Sequence, residues 1–235
     1  MNNISIILVN TSHPGNIGSA ARAMKNMGLK QLILVNPKVL PNDESYALAA
    51  GATDILDTAR ITQNLEEAIA DSHVVFGCSA RQRSLSWPTL ALPDASKLIH
   101  QAASNKQTAI VFGSEQSGLS NQALQHCHYH LYIPANPEYS SLNLSQAVQV
   151  VTYAIFTAGQ IQPNHFEGVI DEPIATMGEF EHFFQRFSQL IEQSGFAGLE
   201  PNKKMQARMR RLFQRAQMRK TEVDILEGIL KKLNS

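Results

Sequence analysis

Short runs rich in Ile, Val and Leu, separated by segments whose apolar residues recur at helical spacing, restrict this chain to an alternating α/β arrangement over residues 4 to 158. The strand-like runs are Ile4 to Val9, Leu32 to Val35, Val74 to Cys78, Thr108 to Phe112 and Leu131 to Ile133. Helical patterns lie between them at Ile17 to Met27, Asp43 to Ala50, Leu65 to Ala70, Asp94 to Ala103 and Asn121 to His126, with a long apolar helix from Ala147 to Ala158. Pro93-Asp94 and Ser120-Asn121 read as helix starts. The run Ile4-Ser5-Ile6-Ile7-Leu8-Val9 is nearly continuous in apolar residues, which suits a parallel sheet with helices on both faces.

After Gly159 the texture changes. Gln160 to Asp171 is polar, contains Pro163 and Gly168, and reads as a linker, and nothing beyond it resembles a strand. The boundary falls at residue 162, giving an α/β domain over 1–162 and a helical, partly basic extension over 163–235. Phe180, Phe183, Phe184, Phe187, Leu190 and Ile191 share one helical face, as do Val223, Leu226, Ile229, Leu230 and Leu233. Between them Met205, Met209, Leu212, Phe213 and Ala216 form an apolar stripe beside a basic one.

The 235 residues carry zero formal net charge, yet Lys203, Lys204, Arg208, Arg210, Arg211, Arg215, Arg219 and Lys220 form a run without acids. Gathered on one surface, such charge binds a polyanion even in a neutral protein. A helix stabilised by its own ion pairs interleaves Glu, so RNA backbone contact is preferred over a merely solvated face. The candidates are Lys203, Lys204, Arg208, Arg211, Arg215 and Arg219. No apolar stretch approaches the roughly 18 residues of a membrane span, and no charged signal leader precedes Ile4, so a cytoplasmic protein without membrane contact is expected. Two cysteines, Cys78 and Cys127, make no disulfide framework.

Three segments carry candidate chemistry. Asn16-Ile17-Gly18-Ser19-Ala20-Ala21-Arg22 follows the first strand, where Gly15 and Gly18 allow a tight turn and close approach to a ligand. Gly113-Ser114-Glu115-Gln116-Ser117-Gly118 is an acidic loop bracketed by glycines at the end of an apolar strand. Ile133 to Ser145 couples small polar residues with a helix start, Ser140, Ser141, Asn143 and Ser145 being candidate caps. In an open α/β sheet these loops meet at the carboxyl ends of the strands, where ligands bind. A capped helix, a turn and a solvated Arg would account for each segment separately. Neither the dinucleotide fingerprint nor a phosphate loop is present. The run His126-Cys127-His128-Tyr129-His130 lacks tetrahedral ligand spacing, so no metal is expected.

Together, in order and spacing, these three segments resemble the motifs of the SPOUT-class RNA ribose methyltransferases, and most of all the bacterial tRNA cytidine/uridine 2'-O-methyltransferases acting on the anticodon loop. Thr11-Ser12-His13, Ser79-Ala80-Arg81 and Cys127-His128-Tyr129-His130 add to the likeness. It implies S-adenosyl-L-methionine as methyl donor, a homodimer, a tRNA substrate modified at position 32, and a C-terminal trefoil knot in the α/β domain. Cofactor contacts would fall on Cys78, Ser79, Ala80, Gly113, Ile133, Ser140, Ser141 and Leu142, mostly through backbone. Cys78 stands where Thr is common in similar proteins. Arg22 would be the essential cation, Asn16 would orient Arg22 or the ribose, Glu115 would hold Arg22 or Asn16, and Ser141 would bond the target hydroxyl. The alternatives are a ribose methyltransferase acting on ribosomal RNA or another tRNA position, and a non-catalytic RNA-binding protein.

Overall fold

A computed structural model describes residues 2–79, 88–159, 172–196 and 203–233. The described residues up to 159, except 70–73, form one compact unit; residues 70–73 and those from 172 onward form a second. The expected linker and the boundary at 162 lie outside the described residues.

In the first unit, β1 (Ile4–Val9) leads into α1 (Pro14–Asn26), β2 (Gln31–Val35), α2 (Asp43–Ala49), a 3-10 turn, α3 (Thr53–Asp57), β3 (Arg60–Thr62), α4 (Leu65–Ile69) and β4 (Val74–Cys78). Then follow β5 (Thr89–Ala91), α5 (Leu92–Ala102), β6 (Thr108–Phe112), α6 (Asn121–Gln125), β7 (Tyr129–Tyr132) and α7 (Leu144–Ala158). All seven strands are parallel, in the order β3-β2-β1-β6-β4-β7-β5. The late strands β6 and β7 insert between earlier ones.

Register fixes the site. Leu8 pairs with both Leu34 and Phe112, and Cys78 pairs with both Phe112 and Leu131. The carboxyl ends of β1, β6, β4 and β7 are therefore level, and the chain leaves them together at Asn10, Gly113, Ser79 and Ile133. Beneath them Ile6, Leu8, Phe76 and Ile110 join Ile17, Ala21 and Met24 of α1 and Val148, Val151 and Ile155 of α7 in one core. Each large aliphatic side chain so buried contributes about 2 kcal/mol.

Two glycines of α1 serve packing. A Cβ on Gly18 would lie 2.0 Å from the carbonyl oxygen of Ser45, so Gly18 sets the approach of α1 to α2 rather than room for a ligand. Gly15 likewise faces Glu44 and Leu48. The strands β3 and β5 and helix α3 are additions to the sequence reading; three to five residues are too few to display a period. Strand β7 begins at Tyr129, two residues early, where Tyr129 stacks on Phe76 with centroids 5.1 Å apart.

The second unit is built on α8 (Met177–Gln193), α9 (Lys203–Ala216) and α10 (Lys220–Leu233). Thr176 and Glu179 form a reciprocal capping box that starts α8. The carbonyls of Ser72 and Ala70 accept the N–H groups of Met177 and Gly178. Phe180, Phe183 and Phe184 are buried, and Phe213 of α9 meets Phe183 and Phe187 edge-on.

Three expectations need correction here. The basic helix stops at Ala216, because Gln217 turns left-handed at φ 46° and Met218 is buried; Arg219 is therefore off that helix. Leu212 is 48% exposed while Gln214 is buried, since the packed face follows Arg210, Phe213 and Gln214 rather than the most apolar positions. On α10, Val223 is buried but Ile229 and Leu233 are exposed.

Candidate active site

Helix α1 starts at Pro14 after an N-cap, His13, whose side chain makes no capping bond. The missing acceptor arrives from a loop about a hundred residues later. The Glu115 carboxylate accepts the backbone N–H of Ser12 at 3.1 Å, the Ser12 hydroxyl at 3.0 Å and the N–H of His13 at 3.4 Å. A carboxylate at a helix N-terminus meets free donors and the positive end of the helix dipole. Its Oε1 also accepts the side-chain amide of Asn16 at 2.9 Å. Burial by itself would raise the Glu115 carboxyl, but the hydrogen bonds from Asn16, from its own N–H and from Ser12 outweigh it and hold the group below the usual carboxylate range. Glu115 is ionised at neutral pH.

The loop that presents Glu115 is closed by its glycines. A Cβ on Gly113 would fall about 2.0 Å from the backbone of Gly118, and Gly118 itself adopts φ +66°. The N–H of Gly118 bonds the carbonyl of Ser114 at 2.8 Å, and the hydroxyls of Ser114 and Ser117 meet at 2.8 Å.

The third segment joins through Asn143. Its side-chain oxygen caps α7 by accepting the N–H of Ser145 at 2.8 Å, and its amide donates to the Asn16 oxygen at 3.0 Å. A continuous chain, Asn143 to Asn16 to Glu115, thus ties the three segments together. Each Asn amide is oriented by having a donor on one side and an acceptor on the other.

Beside this chain opens a cleft of about 780 Å³, counting space continuous with solvent, at the carboxyl ends of β4, β6 and β7. Cys78, Ser79, Gly113, Ile133, Ser140, Ser141 and Leu142 line it, with Glu115. Phe112, Leu144, Ala147 and the whole Gly113–Gly118 loop complete the wall. Ala80 lies outside the described residues. Its walls combine apolar side chains with hydroxyls, chemistry suited to a ligand that has both apolar and hydrogen-bonding parts. Cys78 offers no nucleophile: burial pushes its thiol up to about 12.

Arg22 does not join these residues. It stands six residues after Asn16, about 9 Å further along α1. It is exposed, makes no hydrogen bond or ion pair among the described residues, and is absent from the cleft wall. Glu115 holds Asn16, not Arg22. Ser12 and Asn143 enter the network as residues to which the sequence reading assigned no such role; their polar side chains beside a helix start were the available signal.

The histidines around β7 each have their own partner. His126 lies 3.1 Å from Glu66, Nδ1 of His128 accepts the N–H of Val75 at 3.1 Å, and Nε2 of His130 lies 3.2 Å from the carbonyl of Ser79. Burial drives His128 down to about 4, in keeping with a neutral ring that accepts. Among the described residues no cluster of His, Cys, Asp and Glu is arranged to hold a metal ion, and no helix is long and apolar enough to cross a membrane.

In the second unit the basic run divides. Arg210 forms a two-pronged pair with Glu181, one bond at 2.9 Å, and its guanidinium lies 4.4 Å from the centre of the Phe184 ring. Lys220 pairs with Glu179, and Arg219 donates to the carbonyl of Glu172 at 2.8 Å. Lys204, Arg208 and Arg215 are exposed on α9 and Arg211 is half-buried; the side chain of Lys203 lies outside the description.

A helix-flanked parallel sheet with a cleft at its carboxyl edge, bounded by these three segments, defines a methylase of the SpoU type, and comparison bears this out. Residues 3–153 match the SpoU rRNA Methylase family, and residues 178–235 match the TrmJ methyltransferase C-terminal domain. The tRNA (cytidine/uridine/adenosine-2'-O-)-methyltransferase TrmJ of Pseudomonas aeruginosa (strain UCBPP-PA14) is 43% identical, covering 98% of this chain and 93% of the relative. The tRNA (cytidine/uridine-2'-O-)-methyltransferase TrmJ of Photorhabdus laumondii subsp. laumondii is 46% identical over 98% of this chain and 96% of its own length. The crystal structure of TrmJ from Z. mobilis ZM4 superposes with a TM-score of 0.86 at 31% identity, covering 98% of this chain and 99% of that one. The chain belongs to the SpoU methylase family and, within it, to the TrmJ branch.

Proposed function

We propose that this protein transfers a methyl group from S-adenosyl-L-methionine to the 2'-oxygen of a cytidine or uridine ribose at position 32 of the tRNA anticodon loop. The observation that carries this reading is the Asn143–Asn16–Glu115 chain at the edge of a cleft with nucleoside-compatible walls. The TrmJ relatives, named for the 2'-O-methylation of tRNA, support the substrate class. An unstacked loop nucleotide presents its ribose to a shallow site more readily than one in an A-form duplex.

When bound, S-adenosyl-L-methionine supplies an electrophilic methyl group on a sulfonium. Cys78, Ser79, Gly113, Ile133, Ser140 and Leu142 would hold it, chiefly by main-chain groups and apolar contact. Ala80 belongs to the same proposed set. Ser141 bonds the ribose hydroxyl and aligns its oxygen for displacement, a matter of proximity and orientation. Asn16, fixed by Glu115 and Asn143, presents a set amide toward the same ribose.

Arg22 remains cationic throughout, because guanidinium does not deprotonate in proteins. It holds the phosphate beside the target ribose and favours the developing alkoxide, whose proton passes to phosphate or water. Since Arg22 stands outside its own cleft, the RNA or a second copy of the chain has to bring the ribose to it. A homodimer is part of this reading, supported by the exposed Val150, Tyr153 and Phe156 on α7 and by Tyr139. Lys203, Lys204, Arg208, Arg211 and Arg215 of α9, with Arg219, contact RNA phosphates. The division into a catalytic domain over 1–162 and an RNA-binding extension over 163–235, in a cytoplasmic protein, belongs to the same reading.

Nucleoside mass spectrometry of tRNA from cells with and without the protein tests it. Loss of 2'-O-methylcytidine or 2'-O-methyluridine from the anticodon loop is expected. An unchanged tRNA profile with a lost ribosomal RNA methyl group would transfer the activity to ribosomal RNA.

A further inference from the structure

The end of β4 is held by a side chain as well as by the sheet. The pairing of β4 with β7 runs through Cys78 and Leu131, and the N–H of Ser79 still reaches the carbonyl of Leu131 at 3.0 Å. The other end of that residue, the Ser79 carbonyl, meets Nε2 of His130 at 3.2 Å. A carbonyl only accepts, so the His130 proton sits on Nε2 and the ring acts as donor. His130 is 5% exposed, within β7, and its own N–H is bonded to the carbonyl of Pro88 at 2.8 Å, which fixes the backbone from which the ring projects. Ser79 is itself buried, yet it forms part of the cleft wall together with Cys78. The orientation of the Ser79 peptide, and with it which main-chain groups face the cleft, is therefore set in part by an imidazole that does not line the cleft.

We propose that His130 is a positioning residue for the methyl donor, acting through the Ser79 peptide rather than by contact. This rests on the reading that the cleft takes S-adenosyl-L-methionine. A site that recognises a nucleoside by backbone groups depends on those groups being preset, because each reorientation on binding subtracts from affinity. The contribution of His130 therefore appears in donor binding and not in methyl transfer once the site is full.

His130→Phe keeps a planar buried ring and removes the donor; His130→Gln carries an amide nitrogen the same number of bonds from Cβ as Nε2. Calorimetry with S-adenosylhomocysteine and steady-state kinetics with tRNA separate the outcomes. Expected are a roughly ten-fold rise in Kd and in donor KM for His130→Phe, with kcat and tRNA KM within about two-fold of the wild type, and recovery of most of the affinity in His130→Gln. Wild-type affinity in His130→Phe overturns the proposal, as does equal weakening in both variants or a fall in kcat at unchanged Kd. A wild-type protein that binds no S-adenosylhomocysteine instead overturns the cofactor reading beneath it. Nitrogen-15 shifts of His130 in the unmodified protein supply a measurement that needs no variant: a ring carrying a proton on Nε2, with resonances that move on addition of S-adenosylhomocysteine, is expected. A ring with no proton on Nε2, or one indifferent to the ligand, contradicts the proposal.

Discussion

Glu115 holds Asn16 at 2.9 Å across about a hundred residues of sequence, and the same carboxylate supplies the cap that His13 does not provide for α1. Folding and the proposed catalysis thus share one group. Glu115→Gln replaces an acceptor by a donor where every neighbour already donates, so one contact becomes a clash of hydrogens. A loss of about 1–3 kcal/mol of stability is expected, with at least a ten-fold fall in methyl transfer. Thermal unfolding and a transfer assay on the same preparation measure both. Full activity in a destabilised Glu115→Gln protein would reduce the residue to a cap.

Asn143 has two tasks that substitution can separate. Asn143→Asp keeps an oxygen for the Ser145 N–H but removes the amide that reaches Asn16. Asn143→Ala loses both and is expected to cost about 1 kcal/mol more in stability than the Asp variant. Activity should fall in both. Chemical denaturation and transfer kinetics check the split.

Gly113→Ala should disable the loop without touching a functional side chain. Its Cβ meets backbone, which has nowhere to move, so a destabilisation of at least about 2 kcal/mol and loss of donor binding are expected. Denaturant midpoints and calorimetry give the two numbers.

The pH dependence of stability has a specific window from His128. Burial places its folded value at about 4, below the 6.5 of a free histidine. Above 6.5 neither state takes a proton, and the neutral ring's contribution is complete. As pH falls from 6.5 to 4 the unfolded chain binds a proton that the folded chain refuses, and up to roughly 3 kcal/mol is lost. His128→Asn retains an acceptor near the Val75 N–H and does not titrate, so its stability profile should be flatter over this interval. Denaturation midpoints at stepped pH values make the comparison.

The arginines of α9 should behave oppositely according to their partners. Replacing Arg208, Arg211 and Arg215 together by Gln should weaken tRNA binding and lower the salt slope by about 2–3, while leaving unfolding nearly unchanged. Arg210→Gln should instead destabilise the helical unit, because it removes the two-pronged pair with the half-buried Glu181 and the guanidinium's contact with the Phe184 ring. Binding isotherms at several salt concentrations, with thermal melts, distinguish them.

The sheet's central strands were legible because burial on both faces forces unbroken apolar runs, and β1, β4 and β6 match their predicted limits. Ser120 and Asn143 could be recognised as caps from their own side chains. Glu115 as the cap of α1 could not, since the bond is made through tertiary structure. The face of α9 was misjudged at Leu212 because Arg210 lays its guanidinium over the Phe184 and Phe180 rings, a role its charge conceals in a hydropathy pattern. Family resemblance proposed which residues border the cofactor; the geometry adds how Ser12, Asn16 and Asn143 are held around Glu115.

The most direct test of the proposed activity is transfer of labelled methyl from S-adenosyl-L-methionine by the purified protein to unmodified tRNA transcripts, followed by nucleoside mass spectrometry. The account predicts a 2'-O-methylated cytidine or uridine in the anticodon loop, abolished by Arg22→Ala. A product methylated on a base, or no product with any tRNA at saturating donor, would contradict it.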